Sequence, residues 1–141
     1  MAILLEQVFP VEAGAYATAG EASTTIKRKL KQFGIDANVL RRVSVASYEV
    51  ELNLVIHSRG GVLTLEVEPG RVRLVSRDVG PGIPDVELAM REGYSTANEE
   101  ARSLGFGAGM GLPNMKRNAD QFAIQSAVGV GTTIEMSFCL Q

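Results

Sequence analysis

An α+β two-layer sandwich, a sheet covered on one face by helices, is the fold class that this 141-residue sequence predicts. Three observations predict it. Strand patterns lie near both ends of the chain and in its middle, with helical patterns between them. The middle pair, "VLTLEVE" and "RVRLVSRD", is joined by Pro69–Gly70, the turn chemistry of a hairpin. A long helix, about Asn38 to Ser58, is apolar over a broad arc, as a helix that covers a sheet must be.

Composition sets the bounds. With 45% apolar and 21% charged residues and no apolar run near the roughly 20 residues a bilayer requires, the chain reads as one globular domain, 1–141, of a cytoplasmic protein. The opening "MAILLEQVFPVEAG" has no basic n-region and is interrupted by Glu6, so it reads as a strand and not as a leader. One cysteine, Cys139, and one histidine, His57, exclude an internal disulfide and a Cys- or His-based metal cluster. A net charge of −2 without like-charge blocks gives no reason to expect nucleic acid or a membrane as partner.

The elements follow in order. Residues 2–11 contain Pro10, which cannot donate to a ladder and suits an edge strand. From about Ala17 to Phe33, Ala22, Ile26, Leu30 and Phe33 recur at helical spacing, Lys27, Arg28, Lys29 and Lys31 form a solvated face, and Gly34 ends the helix. In the next helix, Leu52, Val45, Ile56, Glu49, Asn53, Ala46, His57, Val50, Val43 and Leu54 make up the apolar arc. Ser44, Ser47, Glu51 and Ser58 fill the side expected to face water. Glu49 and Asn53 therefore sit inside an apolar surface, where a carboxylate loses hydration unless it has a partner or a task. His57, four residues further on, shares their flank and reads as packed or bonded, not catalytic. In the hairpin, Val72, Leu74, Ser76 and Asp78 share a face, which puts a second carboxylate on the core side. A long segment, about Asp85 to Gly109, follows; segments of this length in compact domains tend to be lids or binding elements. A helix over about Met110 to Ala119, a strand "FAIQS", a glycine turn and a last strand "TTIEMSFCL" complete the chain. Thr132, Ile134, Met136, Phe138 and Leu140 line one face of that strand.

Three features carry chemistry: Glu49 and Asn53 on the apolar arc, "DVGPG" leaving a core-facing strand, and "GFGAGMG" opening a helix. Gly105, Gly107, Gly109 and Gly111 fit neither G-x-G-x-x-G nor G-x-x-x-x-G-K-[ST]. Glycines before a helix still let backbone amides approach an anion; read in isolation, the run is equally a loop without a ligand.

The order Glu-x-x-x-Asn, Asp-x-Gly-x-Gly, Gly-x-Gly at a helix start and Gly-Thr before the final strand resembles the GHKL, or Bergerat-type, superfamily of ATPases and kinases over about Arg41 to Leu140. "EGYSTA" and "LGFGAGMGLPNMKRNAD" are most similar to the bacterial anti-sigma-factor serine/threonine kinases, in particular the switch kinases of stress-response complexes containing STAS domains. The resemblance implies a mixed, mostly antiparallel sheet, ATP and Mg2+ as cofactors, and a lid over about 85–108. It implies that Glu49 acts as base or orienting group for the attacking hydroxyl, that Asn53 binds the metal, and that Asp78 accepts from the adenine amino group above Gly80, Gly82 and Ile83. It further implies that Thr132 supports Asp78 through water and that Gly107, Ala108, Gly109, Met110, Gly111 and Leu112 wrap the phosphates. Tyr94, Ser95 and Thr96 in the lid face phosphate or partner, or are plain loop. Arg59, Arg102, Lys116 and Arg117 are the open choices for the γ-phosphate. The implied activity is phosphorylation of a small STAS-domain protein; the rival is a nucleotide-dependent anti-sigma or switch module with little turnover. Implied partners are that STAS protein, with a sigma factor or phosphatase, and a second copy of the chain in a homodimer. The sequence has no helical hairpin with a phospho-accepting histidine, which speaks against a complete sensor histidine kinase.

Overall fold

The computed structural model describes residues 3–91 and 111–140. Five strands form one sheet in the order β1-β2-β3-β5-β4: β1 (Leu5–Val11), β2 (Gly61–Glu68), β3 (Arg71–Asp78), β4 (Gln121–Ala127) and β5 (Gly131–Cys139). Among the described residues every pairing is antiparallel, in keeping with the mostly antiparallel sheet that the resemblance implied. β1, with Pro10 opposite Val62, is an edge strand as expected.

Alternation sends one face of each strand into the core. Leu65, Leu74, Met136 and Phe122 form one rung across the sheet, and Leu63, Ser76, Ile134 and Ile124 the next. The helices α1 (Glu21–Gln32), α2 (Ala37–His57) and α4 (Gly111–Asn118) cover these rungs, and the short α3 (Val86–Ala89) follows β3. α1 begins at Glu21, later than the sequence pattern suggests. A 3-10 turn over Tyr16–Thr18 precedes it, and Gly20, at φ 102°, is its N-cap. Phe33 stands just beyond the helix and is exposed, so its helical spacing does not mark core.

α2 is the central helix, packed on the sheet and flanked by α1 and α4. Val43, Ala46, Val50 and Leu54 are fully buried along its middle. Glu49 and Asn53 lie on one border of that stripe, half-buried, and not at its centre. On the other border, Ser47 and Glu51, expected to face water, are buried at 0% and 3% exposure. The physical reason is α1. Its N-cap Gly20 has no side chain, and Glu51 replaces it, accepting from the N–H groups of Gly20 (3.1 Å), Ala22 (3.1 Å) and Ser23 (3.0 Å). A carboxylate at a helix N-terminus meets orphan amides and a favourable dipole, so its burial is compensated by another helix's end.

Candidate nucleotide site

The sheet's last inner rung changes character. Asp78 ends β3 opposite Gly61 of β2, and on the other side Thr132 of β5 faces Ser126 of β4. Where the deeper rungs are Leu, Ile, Met and Phe with the single exception of Ser76, this one is Gly, Asp, Thr and Ser, so this end of the sheet is polar.

Asp78 is half-buried. The Thr132 N–H donates to its Oδ1 at 3.0 Å. Burial pushes the Asp78 carboxyl above its ordinary value of 3.8, and the Thr132 amide offsets part of that rise. The Thr132 hydroxyl shares a 2.9 Å hydrogen bond with Ser126 Oγ, which also accepts from the Ile83 N–H at 2.7 Å. Ser126 thus ties the segment after Asp78 to the last hairpin. Inward alternation after Phe122 and Ile124 is the sequence signal that marks it.

Glycine is required around this acid. A Cβ on Gly61 would lie 2.6 Å from the Arg77 carbonyl oxygen, and one on Gly131 (φ 155°) would strike the Asp78 carbonyl oxygen and come within 3.2 Å of Oδ1. Gly80 packs against Ser58, with the Asp78 carboxylate 3.4 Å from where its Cβ would be. Gly82 adopts φ 73°, where L side chains are strained, and rests on the Ala127 main chain. Backbone therefore surrounds Asp78 closely on several sides.

The other end of the site is built by helices. Glu49 Oε2 accepts from Asn114 Nδ2 of α4 at 2.7 Å. Asn53 is half-buried one turn further along α2, and His57, another turn on, is half-buried with its imidazole held below its ordinary 6.5 by desolvation. Gly111 and Leu112 open α4, with Leu112 buried. Gly107, Ala108, Gly109 and Met110 lie outside the described residues, as do Tyr94, Ser95, Thr96 and Arg102 and most of the expected lid over 85–108. The described start of the segment expected to be a lid is α3, capped by Asp85, whose Oδ1 accepts from the Leu88 N–H at 3.0 Å. Of the candidate cations, Lys116 and Arg117 are in the last turn of α4, while Arg59 lies beside Gly80 at the Asp78 end.

Among the described residues no group of three or more His, Cys, Asp or Glu side chains is arranged to hold a metal ion. A separate cavity of about 490 Å3 between β1 and the start of α1 is lined by Phe9, Val11, Ala22, Glu51 and Val55, and its buried carboxylate is already committed to α1.

Comparison with known proteins fits this arrangement. Residues 38–141 match the family described as histidine kinase-, DNA gyrase B-, and HSP90-like ATPase. The serine/threonine-protein kinase RsbT of Bacillus subtilis is 31% identical over 109 residues, 74% of this chain and 76% of that protein. The anti-sigma F factor of Geobacillus stearothermophilus is 31% identical over 119 residues, covering 80% and 78% of the two chains. That of Bacillus licheniformis is 30% identical over 122 residues, covering 82% and 80%. This chain belongs to the histidine kinase-, DNA gyrase B-, and HSP90-like ATPase family.

Proposed function

We propose that this chain transfers the γ-phosphoryl group of ATP to a serine or threonine hydroxyl on a small STAS-domain regulatory protein and thereby controls which partner is held. Membership of an ATPase family implies ATP use, and a relative covering three quarters of the chain is named a serine/threonine kinase. The observation that carries the proposal is the division of the site into two carboxylates with different surroundings. Asp78, enclosed by glycine backbone and fixed by the Thr132 amide, suits recognition of the purine amino group. Glu49, held by a single amide at the α2–α4 contact, suits an acceptor hydroxyl that must be oriented and relieved of its proton.

Asn53 has the donor chemistry for Mg2+, a hard amide oxygen, and an ion with one protein ligand would complete its shell with phosphate oxygens and water. Held by Asn53, it would supply positive charge against the phosphates. Gly107 to Leu112 would supply amides to the phosphates, and Arg102, Lys116 or Arg117 further positive charge. A homodimer through the first strand is supported by Ile3, Leu4 and Val8, each half or more exposed at 50%, 54% and 53%.

γ-Labelled ATP, Mg2+ and STAS-domain proteins of the same organism test the proposal. Label is expected on the STAS protein with the wild type and not with Glu49→Ala; full transfer by Glu49→Ala refutes it. The similarity to proteins named anti-sigma F factors favours a second reading, nucleotide-dependent capture of a sigma factor with little turnover. Under that reading Glu49→Ala still captures its partner and Asp78→Asn does not.

A further inference from the structure

We propose that Asn114 is a positioning residue for phosphoryl transfer: its side-chain amide holds Glu49 in the one rotamer that presents the free carboxylate oxygen to the acceptor hydroxyl. This rests on the kinase function proposed above. A glutamate has three rotatable side-chain bonds, and a half-buried one at a helix border is free to swing toward water unless something stops it. The 2.7 Å bond from Asn114 Nδ2 to Oε2 joins residues 65 positions apart and commits one oxygen. Oε1 makes no hydrogen bond to another described residue, so the carboxylate retains an acceptor for a substrate proton.

Asn114 is itself fixed with respect to α2. Its neighbours Pro113 and Met115 are buried, and its own carbonyl accepts from Asn118 Nδ2 at 2.8 Å. The far end of α4 is tied to α2 by Arg42, two turns before Glu49. The Arg42 guanidinium donates to the Asn118 carbonyl at 2.9 Å and pairs with Asp120 at 3.3 Å, and its Nε donates to Asn38 at 3.1 Å. A cation on the last carbonyls of α4 also complements that helix's dipole. α4 is thus clamped on α2 at two points, and one of them is the proposed base. Catalytic groups need placement to a fraction of an ångström, and supporting hydrogen bonds supply it.

The test measures transfer from γ-labelled ATP to the STAS protein identified as acceptor in the assay above, for wild type, Asn114→Ala, Asn114→Asp and Glu49→Gln, and for Asn114→Ala combined with Glu49→Gln. Asn114→Ala is expected to lower kcat about ten- to a hundredfold, the worth of one hydrogen bond to a charged group, with KM for ATP within about twofold of wild type. Asn114→Asp, equal in size but facing Glu49 with a like charge, is expected to fall at least as far. In the Glu49→Gln background, Asn114→Ala is expected to change the residual rate by less than about threefold, because its effect runs through Glu49. Unchanged kcat in Asn114→Ala, or the same fold-loss with and without Glu49, overturns the assignment of Asn114 while leaving the kinase reading intact. A wild type that labels no STAS protein overturns both.

Discussion

Glu51 is the residue whose role the structure reverses, and its replacement gives a prediction with a calculable size. In Glu51→Ala three N–H groups lose their acceptor. Gly20 is half-buried and can turn to water, but Ala22 and Ser23 are 8% and 7% exposed. Two buried, orphaned donors cost about 1–3 kcal/mol each, or about 2–6 kcal/mol together. The neighbouring cavity, which Glu51 lines, lets water follow the truncation. That favours the low end of the range, about 2–3 kcal/mol, a large share of the 5–15 kcal/mol typical of a domain. With a urea slope of about 2 kcal/mol/M, the unfolding midpoint should fall by about 1–1.5 M. Glu51→Gln keeps one acceptor oxygen but turns an NH2 toward the amides, and should lie between wild type and Ala. Glu21→Gln, exposed on the same helix end, should move the midpoint by less than about 0.3 M. ATP affinity measured on the folded variant should be unaffected, since Glu51 touches neither Asp78 nor Glu49. A Glu51→Ala midpoint within about 0.2 M of wild type would refute the claim that α1 is held from α2 by this carboxylate.

Asp78→Asn should weaken ATP binding about ten- to a hundredfold by calorimetry while leaving the urea midpoint unchanged or higher, because burial disfavours the charge that the substitution removes. Gly131→Ala should lose both properties. Its Cβ meets the Asp78 main chain at a φ that only glycine tolerates, so a stability loss of about 2–4 kcal/mol and at least a tenfold loss of ATP affinity are expected, and a variant with wild-type affinity would contradict the geometry. The folded-state pKa of His57 lies below 6.5, so as pH falls through 6.5 the unfolded chain takes up more protons than the folded one and stability is lost. Urea midpoints should fall from about pH 7.5 to about pH 5.5, and His57→Gln should flatten that slope. Asp78 acts in the opposite sense but in a lower window, upward from 3.8, where its raised pKa favours the folded state on acidification.

Much of the fold was legible because strand alternation has a period of two and tolerates little ambiguity. The core-facing sets Val72, Leu74, Ser76 and Thr132, Ile134, Met136, Phe138 are buried as their spacing predicts, and Asp78 follows them in register. Helix α2 was harder. An amphipathic wheel assumes one buried face and one wet face, whereas α2 is enclosed by the sheet, α1 and α4. Its polar residues are therefore not solvent markers but contacts to particular neighbours: Glu51 to α1, Glu49 to α4. No single-helix pattern contains those partners, since they lie 28 to 65 residues away in sequence. Asn114 escaped notice for the same reason, being an ordinary polar residue beside Met115 until the two helices meet. The direct Thr132–Asp78 bond was out of reach too, because alternation fixes which way a side chain faces and not which amide an oxygen meets.

The two ends of the site rest on different kinds of support, and that separates what their mutations should do. Asp78 is held by sheet register and by close backbone approach at Gly61, Gly80 and Gly131, contacts that have no side chain to repack. Disturbing them should cost stability and ATP affinity together, as predicted for Gly131→Ala. Glu49 is held by one side-chain amide from a helix that other residues anchor, so the bond can be removed while α2 and α4 stay packed through Met115, Val43 and Ala46 and clamped by Arg42. Losses at that end should fall on kcat and leave ATP affinity and the unfolding midpoint almost unchanged. If variants at Glu49 and Asn114 instead lowered ATP affinity as much as Asp78→Asn does, the two ends would be one cooperative unit, and the division of labour between the carboxylates would have to be abandoned.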